Sequence, residues 1–334
     1  MRRATALMSA GLLAATAALS WAGSASAAPG DRDGRGADAR TTHQRIVDYW
    51  TPERRATAIP RAMVLPEFRA KGGKPGKPDG GDGGGGGDGS DPVVSGATWT
   101  DGGASVAKTT GKVFFTLGGS RYVCSASAVA GQENLVLTAG HCVWDDVAKF
   151  ATNWMFAPGY DNGVNIEYGE WTATSLFTTS AWADTTGNAW PDDAGMAVVT
   201  NGSSATLSGR LGSLPAMAAQ SGGGDLSGAT YSAFGYPAAQ KYKGGTLTYC
   251  QGPVMVGYDS QDTLSMACDM TGGSSGGPWF GGPGGTGQIV SVNSYGYRGL
   301  ARMFGPTFNE QEGVMSGAAG NGTCESGETC TSIP

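Results

Sequence analysis

The chain has 334 residues, of which 58 are glycine and 15% are charged. Glycine at that level without a Gly-X-Y period excludes a collagen-like fibre, and 40% hydrophobic residues with nine Trp, eleven Tyr and ten Phe exclude wholesale disorder. A net charge of −6 offers no basic footprint for nucleic acid, so no nucleic-acid partner is expected.

In chain order, Arg2 and Arg3 precede an apolar, small-residue run from Ala4 to Gly23 and then Ala25-Ser26-Ala27. This is the pattern of an export signal over residues 1–27 rather than a membrane anchor. Export implies an oxidising compartment, and all six cysteines lie after residue 120. Residues 28–92 hold eleven Lys or Arg and ten Asp or Glu, with weak periodicity apart from Arg61 to Pro66. Within them, Lys71 to Asp91 carries eleven glycines in 21 residues and reads as a flexible linker closing a pro-region. Its aspartates (79, 82, 88 and 91) recur with no calcium-repeat period.

From Val93 the balance turns to nine basic against eighteen acidic residues. Short β-rich runs recur between Gly, Ser, Asn and Pro clusters: 113–117, 134–138, 230–234, 245–249 and 288–292. Evenly spaced strands with turn punctuation predict an all-β sandwich or barrel pair. A short helix is expected near Thr307 to Met315, ending a domain over 93–316, with a tail over 317–334.

Two segments carry chemistry. Leu135-Val-Leu-Thr-Ala-Gly-His-Cys142 is an apolar strand whose small-residue turn presents a histidine, and Thr271-Gly-Gly-Ser-Ser-Gly-Gly-Pro278 sets serine on a glycine-dense turn. Serine is a poor nucleophile until a base takes its proton, and imidazole titrates in the useful range. Glycines beside the serine let backbone N–H groups turn toward an acyl oxyanion. Gly272-Gly-Ser-Ser-Gly276 also fits the Gly-x-Ser-x-Gly elbow of α/β-hydrolases, with Ser274 as nucleophile. That fold needs a histidine after the serine, and the only histidines are His43 and His141. One histidine among paired cysteines makes a poor zinc set, so no metal or other cofactor is expected.

Thr138-Ala-Gly-His-Cys142 and Gly273-Ser-Ser-Gly-Gly-Pro278 resemble the histidine and serine motifs of chymotrypsin-like (trypsin-fold) serine peptidases, over about Val93 to Phe304. The resemblance implies two packed antiparallel six-stranded β-barrels with a short C-terminal helix. It makes His141 the general base and Ser275 the nucleophile, with the backbone N–H groups of Gly273 and Ser275 as the oxyanion hole. The orienting carboxylate is best matched by Asp193, in Asp193-Ala-Gly-Met-Ala-Val-Val199, with its neighbour Asp192 as runner-up among ten aspartates between His141 and Ser275. Cys124–Cys142 would match the family's bridge at the histidine loop. Pairing neighbours then gives Cys250–Cys268 and Cys324–Cys330, one of fifteen possible schemes.

Two departures from the family bear on specificity. Ser274 stands where the trypsin branch keeps an aspartate for the new N-terminus. The serine neighbourhood looks more like the bacterial branch that includes glutamyl endopeptidases, but Asn293 replaces that branch's glutamate-reading histidine, beside Ser294. Asp269, six positions before Ser275, matches a residue that can floor the specificity pocket and would favour Arg or Lys there; the alternative is an ordinary loop aspartate. The expectation is a secreted, extracellular, monomeric endopeptidase acting on proteins or peptides, with no membrane contact after signal removal. The alternatives are an inactive binding module of the same fold and an esterase.

Overall fold

A computed structural model describes residues 34–68 and 93–332, apart from 133, 187, 219–227, 260, 309 and 322–327. The expected export signal, the glycine-rich linker and Cys324 of the expected Cys324–Cys330 pair lie outside the described residues.

The described part of residues 28–92 is ordered into α1 (Gly34–Tyr49), α2 (Pro52–Ala56), β1 (Ile59–Pro60) and β2 (Met63–Leu65). Thr51 caps α2, its hydroxyl accepting from the Arg54 N–H, and Pro52 stands at the first helical position, where no amide partner is needed. Six strands follow: β3 (Thr110–Leu117), β4 (Ser120–Ala128), β5 (Leu135–Thr138), β6 (Thr152–Pro158), β7 (Trp171–Thr179) and β8 (Gly195–Thr200). All pair antiparallel in the order β4-β3-β6-β7-β8-β5, and β5 returns to β4, closing a barrel. Closure leaves no edge along most of its length.

A second sheet holds β9 (Thr230–Gly235), β10 (Thr248–Val256), β11 (Thr263–Ala267), β12 (Pro278–Phe280), β13 (Ile289–Val292), β14 (Tyr295–Tyr297) and β15 (Arg302–Pro306), in the order β13-β12-β9-β10-β11-β15-β14. Each expected β-rich run overlaps one of these strands, 245–249 only at Thr248 and Tyr249. The C-terminal helix α3 covers Glu310–Asn321, later and longer than expected, and β16 (Glu328–Ser332) pairs antiparallel with β7. Its glycines at 313, 317 and 320 hide the helix from a reading based on propensity.

The barrel interior is filled by Val113, Phe115, Trp154, Phe156 and Leu137, all fully buried. Strand periodicity of two sends Phe114, Val123 and Met155 to the outside, yet these are buried as well. The cover is the end of α1 and the residue after it: Ile46 and Trp50 pack against them with no remaining exposure. The Trp50 indole donates to the Asn153 carbonyl at 2.6 Å, and Arg55 of α2 pairs with Glu170. Burial on both faces explains why 113–117 reads as a continuous apolar run rather than an alternating one. Each of the two side chains contributes on the order of 2–3 kcal/mol by leaving water.

Candidate active site

β5 ends at Thr138, and a single 3₁₀ turn, Gly140–Cys142, swings His141 inward. Gly140 has no room for a side chain: a Cβ there would meet Asp193 Oδ1, Thr178 Oγ1 and the Trp182 ring, each at 3.0 Å. The Cys124–Cys142 disulfide ties this turn to β4. On the facing loop, the 3₁₀ turn Trp190–Asp192 delivers Asp193 immediately before β8. Thr178 and Thr179 of β7 fix that loop by donating to the carbonyls of Ala194 (2.9 Å) and Asp192 (2.7 Å).

Asp193 and His141 then meet as a buried pair. The His141 backbone N–H donates to Asp193 Oδ1 at 2.8 Å, and ring Nδ1 lies 2.8 Å from Oδ2. Ser294 donates its hydroxyl to the same Oδ2 at 2.5 Å. Their exposures are 1% for His141 and nil for Asp193. Three contacts converging on one buried carboxylate fix the ring orientation. Asp192, the neighbouring carboxylate, gives its backbone carbonyl to the Thr179 hydroxyl.

The serine turn is held as firmly. Gly273 and Gly276 have φ of +95° and +79°, and a Cβ on Gly276 would lie 2.1 Å from Thr138 Oγ1. Only glycine fits there. Ser125, next to the disulfide, donates its hydroxyl to the Gly273 carbonyl (2.8 Å), while its N–H donates to the Ser275 carbonyl (2.7 Å). The Ser274 hydroxyl is spent on the Thr271 carbonyl at 2.7 Å. Ser275 is free of that bond and points instead at the carbonyl of Arg61, 3.3 Å away, in the segment between β1 and β2. The same carbonyl accepts from the Gly273 N–H at 2.8 Å. His141 Nε2 is buried with no hydrogen-bond partner.

Beside Ser275 opens a cavity of about 480 Å³, walled by Met270, Gly272, Ser294, Gly296, Arg302 and Met303. Asp269 is also in its wall, but the carboxylate is already occupied. It accepts from Tyr242, from Lys241 (2.5 Å), from the Gly96 N–H (2.9 Å) and from Ser95 (3.3 Å). Partial burial alone would raise its pKa, but the bonds from Lys241, Tyr242 and Gly96 outweigh that and hold it below the usual carboxylate range. Asn293, expected beside the pocket, lies fully buried under the serine turn instead. Its amide donates to the carbonyls of Phe234 (2.7 Å) and Ser274 (3.0 Å) and accepts from the Trp279 indole (2.7 Å), so it supports the turn rather than lining the cavity. Ser294 reaches both the cavity and Asp193, a second role that its neighbours in sequence do not signal.

Cys250 and Cys268 form the second disulfide, at the start of the pocket wall. The sulfurs of Cys124 and Cys142 lie near the His141 ring, but both are in the disulfide and Nδ1 faces Asp193, so this cluster is not a metal-ligand set.

No family model and no curated protein sequence matches the chain. Solved structures do. A thermostable serine protease, AL20, from an extremophilic microorganism is 37% identical with a TM-score of 0.59, over 65% of this chain and 99% of that one. Protease Anisep from Arthrobacter nicotinovorans is 38% identical with a TM-score of 0.58, over 64% and 96%. A Glu endopeptidase, at 18% identity and a TM-score of 0.55, shares the fold over 69% and 98%.

Proposed function

Because the chain belongs to the serine peptidases of the chymotrypsin/trypsin fold, we propose that it is a secreted serine endopeptidase working through His141, Asp193 and Ser275. The observation that carries this reading is the buried Asp193–His141 pair at 2.8 Å, beside a glycine-rich turn whose Ser275 carbonyl lies 3.7 Å from Sγ of Cys142, the residue after His141. In this reading His141 Nε2 takes the Ser275 proton as the hydroxyl attacks a peptide carbonyl. Asp193 keeps the ring in the tautomer that can accept there and stabilises the imidazolium formed. The N–H groups of Gly273 and Ser275 stabilise the oxyanion, the imidazolium protonates the leaving amine, and water then releases the acyl group from Ser275.

The test is labelling by a fluorophosphonate and turnover of a mixed peptide library. Labelling and cleavage in the mature protein, both lost in Ser275→Ala, support the reading; ester turnover without peptide turnover would replace it with an esterase. Removal of residues 28–92 after export belongs to the same proposal. N-terminal sequencing of the secreted form is expected to start between Asp91 and Trp99, and a fully active form beginning at Ala28 would refute it.

A further inference from the structure

We infer that residues Ile59–Leu65 are a ligand of the cleft itself, bound across it in a sense that does not lead to hydrolysis, so that the intact chain is its own inhibitor. The inference rests on the peptidase reading above.

The segment crosses the whole site. β1 adds to β4 in parallel, with Ile59 opposite Tyr122 and Pro60 opposite Val123, and the Arg61 N–H donates to the Val123 carbonyl at 3.0 Å. The Arg61 carbonyl takes the hydrogen bonds of Gly273 N–H and Ser275 Oγ. β2 then adds to β14 in parallel, pairing Met63, Val64 and Leu65 with Tyr295, Gly296 and Tyr297. Beyond it, Phe68 packs its ring 5.3 Å from those of both Tyr258 and Tyr297. Strand addition at two sheet edges supplies main-chain affinity that does not depend on side-chain identity.

A productive acyl donor would have to do three things at once. Its carbonyl must lie among the oxyanion donors, its side chain must enter the cavity beside Ser275, and its leaving nitrogen must reach the proton on His141. Arg61 meets only the first. Its guanidinium lies over the Tyr122 ring at 5.0 Å and 3.7 Å from Asp145, on the β4 side of the cleft and outside the cavity. Ala62, whose nitrogen would leave, lines the cavity together with Pro60, Met63 and Val64 and packs against Gly272. Meanwhile Ser275 donates to the Arg61 carbonyl and His141 Nε2 makes no hydrogen bond. The strap thus turns the nucleophile away from its base, and it presents a peptide bond whose side chain and leaving group are exchanged between the two sides of the cleft.

Three measurements on the full chain test this. Hydrogen exchange in Ser275→Ala, which needs no activity, is expected to show residues 59–65 protected; exchange at unprotected rates overturns the binding mode. In the wild-type chain the Arg61–Ala62 bond is expected to stay intact by mass spectrometry while a reporter peptide is consumed; cleavage there at the reporter's rate shows a substrate, not an inhibitor. The double variant Ile46→Glu, Trp50→Glu loosens the anchoring helix without touching the cleft, and Leu65→Asp serves the same purpose from within the strap if that variant does not fold. Fluorophosphonate labelling of Ser275 is expected to be at least about tenfold faster in the loosened chain, because the strap competes at the high effective concentration of a tethered ligand. Equal rates overturn inhibition. No labelling in either chain, although residues 59–65 of the loosened chain exchange freely, overturns the peptidase reading, and with it inhibition.

Discussion

Ser294 and His141 share one oxygen: the serine hydroxyl and the ring Nδ1 both contact Asp193 Oδ2, at 2.5 and 2.8 Å. Asp193 is therefore held by more than its histidine, and the two contacts can be separated by mutation. Asp193→Asn is expected to lower kcat by about 10⁴-fold, since an amide stabilises the wrong imidazole tautomer. Ser294→Ala removes one charge-assisted bond and leaves the tautomer alone, so a loss nearer tenfold is expected, in line with about 1.5 kcal/mol. Steady-state kinetics on a peptide ester checks both, and equal losses would contradict the division of roles.

The adjacent serines differ in what their hydroxyls do. Ser274 is committed to the Thr271 carbonyl, so Ser274→Ala is expected to retain most activity and to cost about 1 kcal/mol of stability. Ser275→Ala is expected to lose turnover by a factor on the order of 10⁶. Fluorophosphonate labelling of Ser274→Ala with none of Ser275→Ala is the matching readout; the reverse pattern would move the nucleophile.

Asp269 gives a prediction about specificity. Its carboxylate already accepts from Lys241, Tyr242, Ser95 and the Gly96 amide, so little of its charge is left for a substrate cation. Asp269→Asn is expected to leave the ranking of Arg and Lys against Glu, Phe and Leu substrates unchanged. A collapse of Arg and Lys cleavage alone would show that the carboxylate reaches the substrate.

Lys112 supplies a pH signature. It is 7% exposed, donates to the Gly244 carbonyl at 2.8 Å, and burial brings its pKa down to about 8. Its folded value is below the unfolded one of about 10.4, so the unfolded chain binds the extra proton between them and stability rises with pH over that window. Above pH ~10 the rise is opposed by buried tyrosines such as Tyr236, whose burial raises their pKa, because the unfolded chain then ionises first. The expected result is a Tm difference between wild type and Lys112→Met that shifts in favour of wild type from pH 8 to 10. A pH-independent difference would contradict it.

The strand pattern and the His141 and Ser275 turns were legible because their signals are local: short β-rich runs bounded by turn residues, and motifs of five or six residues. The order in residues 34–68 was not. Among the described side chains of this segment up to Trp50, the buried ones are Ile46 of α1 and Trp50 just beyond it, one turn's worth of apolar periodicity, and the face they cover lies on β3, β4 and β6, far along the chain. The clue was in its partner, since Phe114 sits between Val113 and Phe115 in a strand whose outer face ought to be polar. The carboxylate of Asp269 and the amide of Asn293 were legible as residues but not as occupied ones. Lys241 and Tyr242, and Phe234 and Trp279, come to them from other loops and strands.

Helix α1 also changes what a cut between Phe68 and Val93 would accomplish. The segment has two footholds, the helix on the outside of the barrel and the strap in the cleft, and severing the chain removes neither. What it removes is the link that makes rebinding unimolecular. After the cut, occupancy obeys mass action: concentrated protein keeps its strap, and dilution releases it. With the strap acting as the inferred inhibitor, the onset of activity would then be set by how far the protein is diluted, with the nick only arming it.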